Sequence, residues 1–201
     1  MEYFVYGRDR AGTRGLRWDL AEDHWSFMDR YADALIARGP TFVSGENDAT
    51  TGSMHVVDLP DAADAHAFAF SEPYYRAGVF EEVLVCRWRN ALGRTMWDFA
   101  GHGDPRFLVI GQAVGDAGVH RGALRDQEYD HFLGLGLRER VILCGPLLTD
   151  DGKGWLGTAM MVEMADRSAV QAAMSGSPFV RAGLYRDVEI HGWRFGGRPQ
   201  T

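Results

Sequence analysis

The chain repeats itself. Residues 52–89 lie over residues 157–194 at a constant offset of 105, with no gap across 38 positions. Eleven pairs are identical, among them Asp61/Asp166, Pro73/Pro178, Arg76/Arg181, Gly78/Gly183 and Trp88/Trp193. Proline, glycine and tryptophan stay in step, so shared composition does not explain the match. The N-terminal parts match more loosely, EYFVYGR against RFLVIGQ and VSGE against LCGP. A tandem duplication must fold as one unit built twice, and that restricts the architecture more than any composition figure.

Each copy reads as the same order of elements. In the first, an apolar strand covers Tyr3 to Tyr6. A helical stretch follows from about Leu20 to Arg38, with Trp25, Met28, Ala32, Leu35 and Ile36 at helical spacing, and Gly39-Pro40 stops it. Thr41 to Ser44 and Met54 to Leu59 read as strands around a polar turn. Asp61 caps a short alanine-rich helix to about Phe70, and Glu82 to Arg89 form the last strand. The second copy reads as strand 106–113, helix 126–139, strands 141–147 and 158–164, helix 166–174 and strand 187–195.

The order β-α-β-β-α-β is the ferredoxin-like split βαβ. One copy makes a four-stranded antiparallel sheet with helices on one face and the other face bare. Two copies bury those bare faces together. The expected fold is therefore α+β: two tandem ferredoxin-like βαββαβ repeats packed sheet to sheet as an eight-stranded barrel. The expected divisions are a first repeat at 1–90, a linker at 91–105 and a second repeat at 106–198. The linker carries Trp97 and Phe99 beside glycines and reads as a packed tether.

Composition narrows the partners. Twenty-one Lys and Arg stand against 28 Asp and Glu, a net charge of −7. An acidic surface does not attract a polyanion, so neither nucleic acid nor an anionic membrane is expected as a partner. No apolar run reaches the ~18 residues of a membrane helix, and MEYFVYGRDR lacks the blocks of a signal peptide. A cytoplasmic location is the expectation. Cys86 and Cys144 sit in apolar strand-like runs with no His or Cys at zinc spacing. They read as reduced buried thiols, and no metal is expected. G-R-D-R-A-G-T-R-G and G-L-G-L lack the spacing of a nucleotide loop, and no cofactor is expected.

Two runs, SEPYYRAGVF (71–80) and SGSPFVRAGLY (175–185), together with a histidine near the first helix, resemble the YCII-related family. The resemblance covers nearly the whole chain, and the family is similar to the wider group of dimeric α+β barrels. It implies an active pair of that histidine and the acid before the proline. These fall on His24 and Glu72, the latter a glutamate where the family has aspartate. In the second copy the corresponding residues are Glu128 and Ser177, with His131 one turn away, so the second copy is expected to be degenerate. A homodimer is compatible with this fold.

A carboxylate on one imidazole nitrogen fixes the tautomer and leaves the other nitrogen to take and return a proton. His24 and Glu72 are the catalytic candidates. Trp18, Trp25, Tyr74, Tyr75, Phe80 and Arg17 are the candidates for holding a small hydrophobic, aromatic or enolisable substrate. Arg17 and, in the second copy, His120 and Arg121 are read as loop residues. The open space is expected in the first copy, with its counterpart in the second filled or polar. The leading reading is a cofactor-free enzyme of the lyase, isomerase, dehydratase or cyclase kind. The alternatives are a cofactor-free monooxygenase on a polyphenol and a non-catalytic ligand-binding or interaction module.

Overall fold

In the computed structural model, residues 1–43, 49–115, 117–134 and 137–198 are described. Repeat one comprises β1 (Glu2–Asp9), α1 (Arg14–Asp19), α2 (Ala21–Asp29), β2 (Leu35–Phe42), β3 (Thr50–Asp58), α3 (Ala62–Ser71), α4 (Pro73–Arg76) and β4 (Phe80–Trp88). Repeat two comprises β5 (Arg106–Ala113), α5 (Ala117–Gly134), β6 (Val141–Leu148), β7 (Trp155–Glu163), α6 (Arg167–Gly176), α7 (Pro178–Arg181) and β8 (Tyr185–Trp193).

The eight strands form one closed antiparallel barrel in the order β1-β3-β2-β8-β5-β7-β6-β4. Each half keeps the ferredoxin-like order, β4-β1-β3-β2 and β8-β5-β7-β6. Two short seams join them. Thr41 and Phe42 pair with Trp193 and Gly192, and Arg87 and Trp88 pair with Leu148 and Leu147. Closure removes the sheet edges that each half would otherwise expose.

The strands are apolar on both faces because both faces are covered. In β1, Phe4 and Tyr6 point into the barrel with Met54, Val56, Leu108, Ile110 and Trp193. Tyr3 and Val5 point outward to Phe27, Met28 and Phe68 under the helices. Asp61 and Asp166 cap α3 and α6 through the amides of Asp64 and Ala169, at 3.0 and 2.8 Å. A cap of this kind stabilises a helix by ~1 kcal/mol.

The seams explain a difference from the sequence reading. The helix expected to run to Arg38 ends at Asp29, and Gly39-Pro40 lie inside β2. The register pairs Gly39 with Met54 and Gly145 with Ala159, so A-R-G-P of β2 matches L-C-G-P of β6 rather than V-S-G-E. A Cβ on Gly39 would collide with the Arg194 carbonyl, and one on Gly145 with the Arg89 carbonyl. These glycines let the last strand of the other repeat close over β2 and β6; they do not end a helix. Pro40 is tolerated because β2 meets β8 only at Thr41 and Phe42. Ser44, expected to end a strand, lies outside the described residues.

Two further differences concern helices. α5 begins at Ala117, nine residues before the start expected at 126, so His120 and Arg121 are helical. Arg17 is likewise on α1 rather than in a loop. Between the repeats, Met96 and Phe99 enter the barrel core, and the Met96 sulfur accepts the Arg38 amide at 3.3 Å. Trp97, expected to pack, is 51% exposed.

An ion pair joins β1 to β8 across the barrel. The Arg8 guanidinium of β1 donates to both oxygens of Glu189 on β8, at 2.5 and 2.8 Å. Gln112 donates to the same carboxylate at 2.7 Å, and His191 lies 3.2 Å from it.

Candidate functional site

The ridge where α2 meets α4 holds the pair carried by the family resemblance. Glu72 closes α3 and caps α4. Its Oε2 accepts the Tyr75 amide at 3.0 Å, and its Oε1 lies 2.5 Å from His24 Nδ1. One carboxylate therefore fixes the short helix and orients the imidazole. Both side chains are buried. The ring of His24 stacks on Tyr74, with centroids 4.2 Å apart and 10° between planes. A carboxylate opposite Nδ1 keeps the proton there and leaves the Nε2 lone pair outward. Nε2 has no hydrogen-bond partner among the described residues.

Arg17 closes the other side. Its guanidinium lies 4.6 Å from the Tyr74 ring centroid and donates to Asp9 at 2.7 Å and Ser53 at 2.8 Å. The Tyr74 hydroxyl donates to the Arg17 carbonyl at 3.2 Å. Burial raises the Asp9 pKa, and the charge of Arg17 opposes that. His55 faces His24 from β3, with ring centroids 5.8 Å apart. Burial holds the His55 pKa well below its usual value, and the neighbouring His24, Arg38 and Arg17 push the same way. It is a neutral imidazole at neutral pH.

Of the residues singled out in the sequence, His24, Glu72, Tyr74 and Arg17 come together, with Phe80 edge-on to Tyr74 at 5.9 Å. Trp18 does not join them; it is 72% exposed. Tyr75 packs edge-on against Phe70 and is largely exposed. Trp25 is half-buried, 5.9 Å from the Arg198 guanidinium. Asp9, Ser53 and His55 were missed. His55 was visible in the repeat itself, since a strand position that holds methionine in the second copy (Met160) holds an ionisable ring in the first.

Repeat two keeps the framework and changes the chemistry. Glu128 stands 104 residues after His24, and the Ser177 hydroxyl lies 2.8 and 2.7 Å from its two oxygens. Glu128 also accepts the Phe179 amide at 3.1 Å. Burial raises the Glu128 pKa. His131 is spent on the Ala173 carbonyl at 2.8 Å. The space expected to be filled or polar in this repeat is instead open, with a largely apolar lining. A cavity of about 180 Å³ lies between α5 and the outer face of β5, β6 and β7, with Phe132, Cys144, Met160, Phe179 and Tyr185 among its walls. Repeat two has no counterpart to the Arg17–Asp9–Ser53 bridge of repeat one among the described residues.

The profile of the YCII-related domain matches residues 1–89 and again 106–194. The chain belongs to the YCII-related family. Protein YciI of Escherichia coli O6:H1 is 30% identical over 91 residues, which cover 42% of this chain and 93% of that protein. Among solved structures, a variant chlorite dismutase from Candidatus Nitrospira defluvii superposes with a TM-score of 0.60 at 10% identity, covering 96% of this chain and 91% of that one. An anthrone oxidase-like protein superposes at 0.54 with 10% identity, covering 97% and 90%. These likenesses show the fold, an α+β barrel of ferredoxin-like halves. Fold alone does not assign a reaction.

Among the described residues no cluster of three His, Cys, Asp or Glu side chains is placed to hold a metal ion. No described helix is long and apolar enough to cross a membrane. Cys86 and Cys144 are unpaired, and burial pushes both thiols up to about 11.

Proposed function

We propose that repeat one is a cofactor-free site for proton transfer on a small hydrophobic substrate with an enolisable or aromatic ring, with His24 as general acid and base and Glu72 as its positioning residue. One observation carries the reading: Nδ1 of His24 is held at 2.5 Å by a buried carboxylate while Nε2 is unpartnered among the described residues. The second nitrogen is free to take and return a proton.

The mechanism follows from the arrangement. Nε2 removes a proton from an acidic carbon or a phenol of the substrate, and the imidazolium formed is stabilised by Glu72. The stacked Tyr74 ring prevents the imidazole from turning out of line. The same proton is then returned to a different atom, giving isomerisation, or to a leaving group, giving elimination. Among the described residues no Ser or Cys is hydrogen-bonded to His24 or Glu72, so the site supports proton movement rather than acyl transfer. Arg17 and the neutral His55 supply one positive and one uncharged donor near the ring, which suits an enolate or phenolate intermediate.

The test needs no prior substrate. A panel of enolisable cyclic ketones and hydroxylated aromatics in D2O is followed by proton NMR for carbon-bound exchange. Exchange by the wild type, lowered ~10²–10⁴-fold in His24→Ala, is expected. No exchange on any compound, or equal exchange by His24→Ala, overturns the reading. Oxygen uptake during turnover would assign the chemistry to an oxygenase instead.

A further inference from the structure

The cavity of repeat two has an arginine without a counter-ion among the described residues. In repeat one, Arg17 is neutralised by Asp9 and bonded to Ser53. The corresponding arginine, 104 residues on, is Arg121. The strand register places Ala113 where Asp9 stands, each opposite the first aromatic of the last strand, Tyr185 and Phe80. Thr158 replaces Ser53, and its hydroxyl is taken by Tyr185 at 2.9 Å. Repeat two therefore keeps the cation, has alanine in place of its acid and lines a cavity with the arginine.

Arg121 is not simply solvated. Its Nε is enclosed without a hydrogen-bond partner among the described residues, and its guanidinium sits 5.4 Å from the Trp155 ring centroid. Arg89 lines the same cavity, and neither Arg89 nor Arg121 has an ion-pair partner among the described residues. Burial lowers the Arg121 pKa, and the charge of Arg89 lowers it further. Two cations that repel each other over an apolar hollow are costly until an anion arrives. Glu128 lines the same cavity but makes no ion pair with either arginine among the described residues; its carboxylate is held by Ser177 and the Phe179 amide. Cavities of ~150 Å³ lined by apolar side chains hold benzene. About 180 Å³ leaves room for one ring and a small substituent.

We propose that repeat two carries a second binding site, for a monocyclic aromatic carboxylate whose ring fills the cavity and whose charge pairs with Arg121 and Arg89. The site stands independently of the chemistry assigned to His24.

Cys144 gives a local readout, since it lines the cavity while Cys86 lies inside the barrel. The full-length protein is labelled with methyl methanethiosulfonate at pH ~7, with salicylate or its neutral counterpart salicylamide present, and each thiol is followed by mass spectrometry. Isothermal titration gives the same comparison without labelling. Salicylate is expected to bind and to slow labelling of Cys144 but not of Cys86, with salicylamide at least tenfold weaker. Losing one charged hydrogen-bond partner lowers affinity roughly ten- to a hundredfold, so Arg121→Gln should weaken salicylate by that factor and leave salicylamide unchanged. Arg89→Gln should act in the same direction and serves if Arg121→Gln fails to fold. His24→Ala should leave salicylate binding intact. Failure of millimolar salicylate to bind, equal binding of the neutral compound, full affinity after removal of either arginine, or loss of binding in His24→Ala would each overturn the proposal.

Discussion

The ion pair across the barrel allows a quantitative test of what holds the two repeats together. Glu189 belongs to repeat two and Arg8 to repeat one, and their side chains are 16% and 21% exposed. Burial alone would raise the Glu189 pKa. Hydrogen bonds from His191, Arg8 and Gln112 and the charge of Arg8 outweigh it and hold the carboxyl at about 2, against 4.5 for a free glutamate. That gap corresponds to roughly 3 kcal/mol of stability when the group is ionised in both states. Because the folded-state value is depressed, this stability is fully present above pH ~4.5 and is lost as pH falls toward 2. Glu189→Gln keeps the shape and removes the charge. At pH 7 it should lower the unfolding free energy by roughly 3 kcal/mol, in line with breaking an enclosed ion pair. Urea denaturation followed by tryptophan fluorescence between pH 7 and pH 2.5 measures the difference. The wild-type and variant curves should draw together on the acid side. A difference below ~1 kcal/mol at pH 7, or one that stays constant down to pH 3, would refute the assignment of the inter-repeat contact.

Three other outcomes are expected. His24→Ala should lower turnover ~10²–10⁴-fold and Glu72→Gln less, while His131→Ala, whose ring serves only the Ala173 carbonyl, should leave turnover unchanged; initial rates at matched circular dichroism decide this. Gly39→Ala and Gly145→Ala should each destabilise by ~1–3 kcal/mol or more by forcing the seam strands apart, read as a lower urea midpoint. His55 is held neutral in the fold, so as pH falls below ~6.5 only the unfolded chain takes up its proton, and stability falls by up to ~1.4 kcal/mol per pH unit. His55→Met, the residue of the second repeat, should flatten that slope in denaturation curves between pH 7 and pH 5.

The sheet, the duplication and the barrel were legible because they rest on periodicity and on residues that recur in register. Asp61 and Asp166 announce the same cap, and Trp88 and Trp193 the same seam. The second strand was not legible in the first repeat. Leu35 and Ile36 continue a helical spacing by chance, and Gly-Pro after such a run ordinarily marks a helix end. The repeat held the correction: Gly145-Pro146 had already been read as strand in the second copy. The dyad was visible because family motif and chain position coincide. Its surroundings were not, because Asp9 and Ser53 are drawn in by the reach of one guanidinium, which no spacing rule describes. The aromatic residues near His24 and Glu72 in sequence divided by helix and helix face, which sent Trp18 to solvent and Tyr74 to the imidazole.

The two repeats show how little substitution separates two kinds of site on one frame. Both need an acceptor at the start of the short helix after α3 or α6, and both have one. The Glu72 carboxylate takes the Tyr75 amide, and the Ser177 hydroxyl takes the Val180 amide at 3.3 Å. A carboxylate has a second oxygen to spend, and repeat one spends it on an imidazole. A hydroxyl has only its proton, and repeat two gives that to Glu128, which turns to hold the Phe179 amide. The arginine beside the first pair finds its acid on β1 and packs against Tyr74. With alanine at that strand position the same arginine is left over an open hollow. The frame tolerates both outcomes because the barrel interior, the seams and the caps of α3 and α6 lie on the other side of the sheet or at its ends, and none of them depends on which polar groups meet between helix and strand.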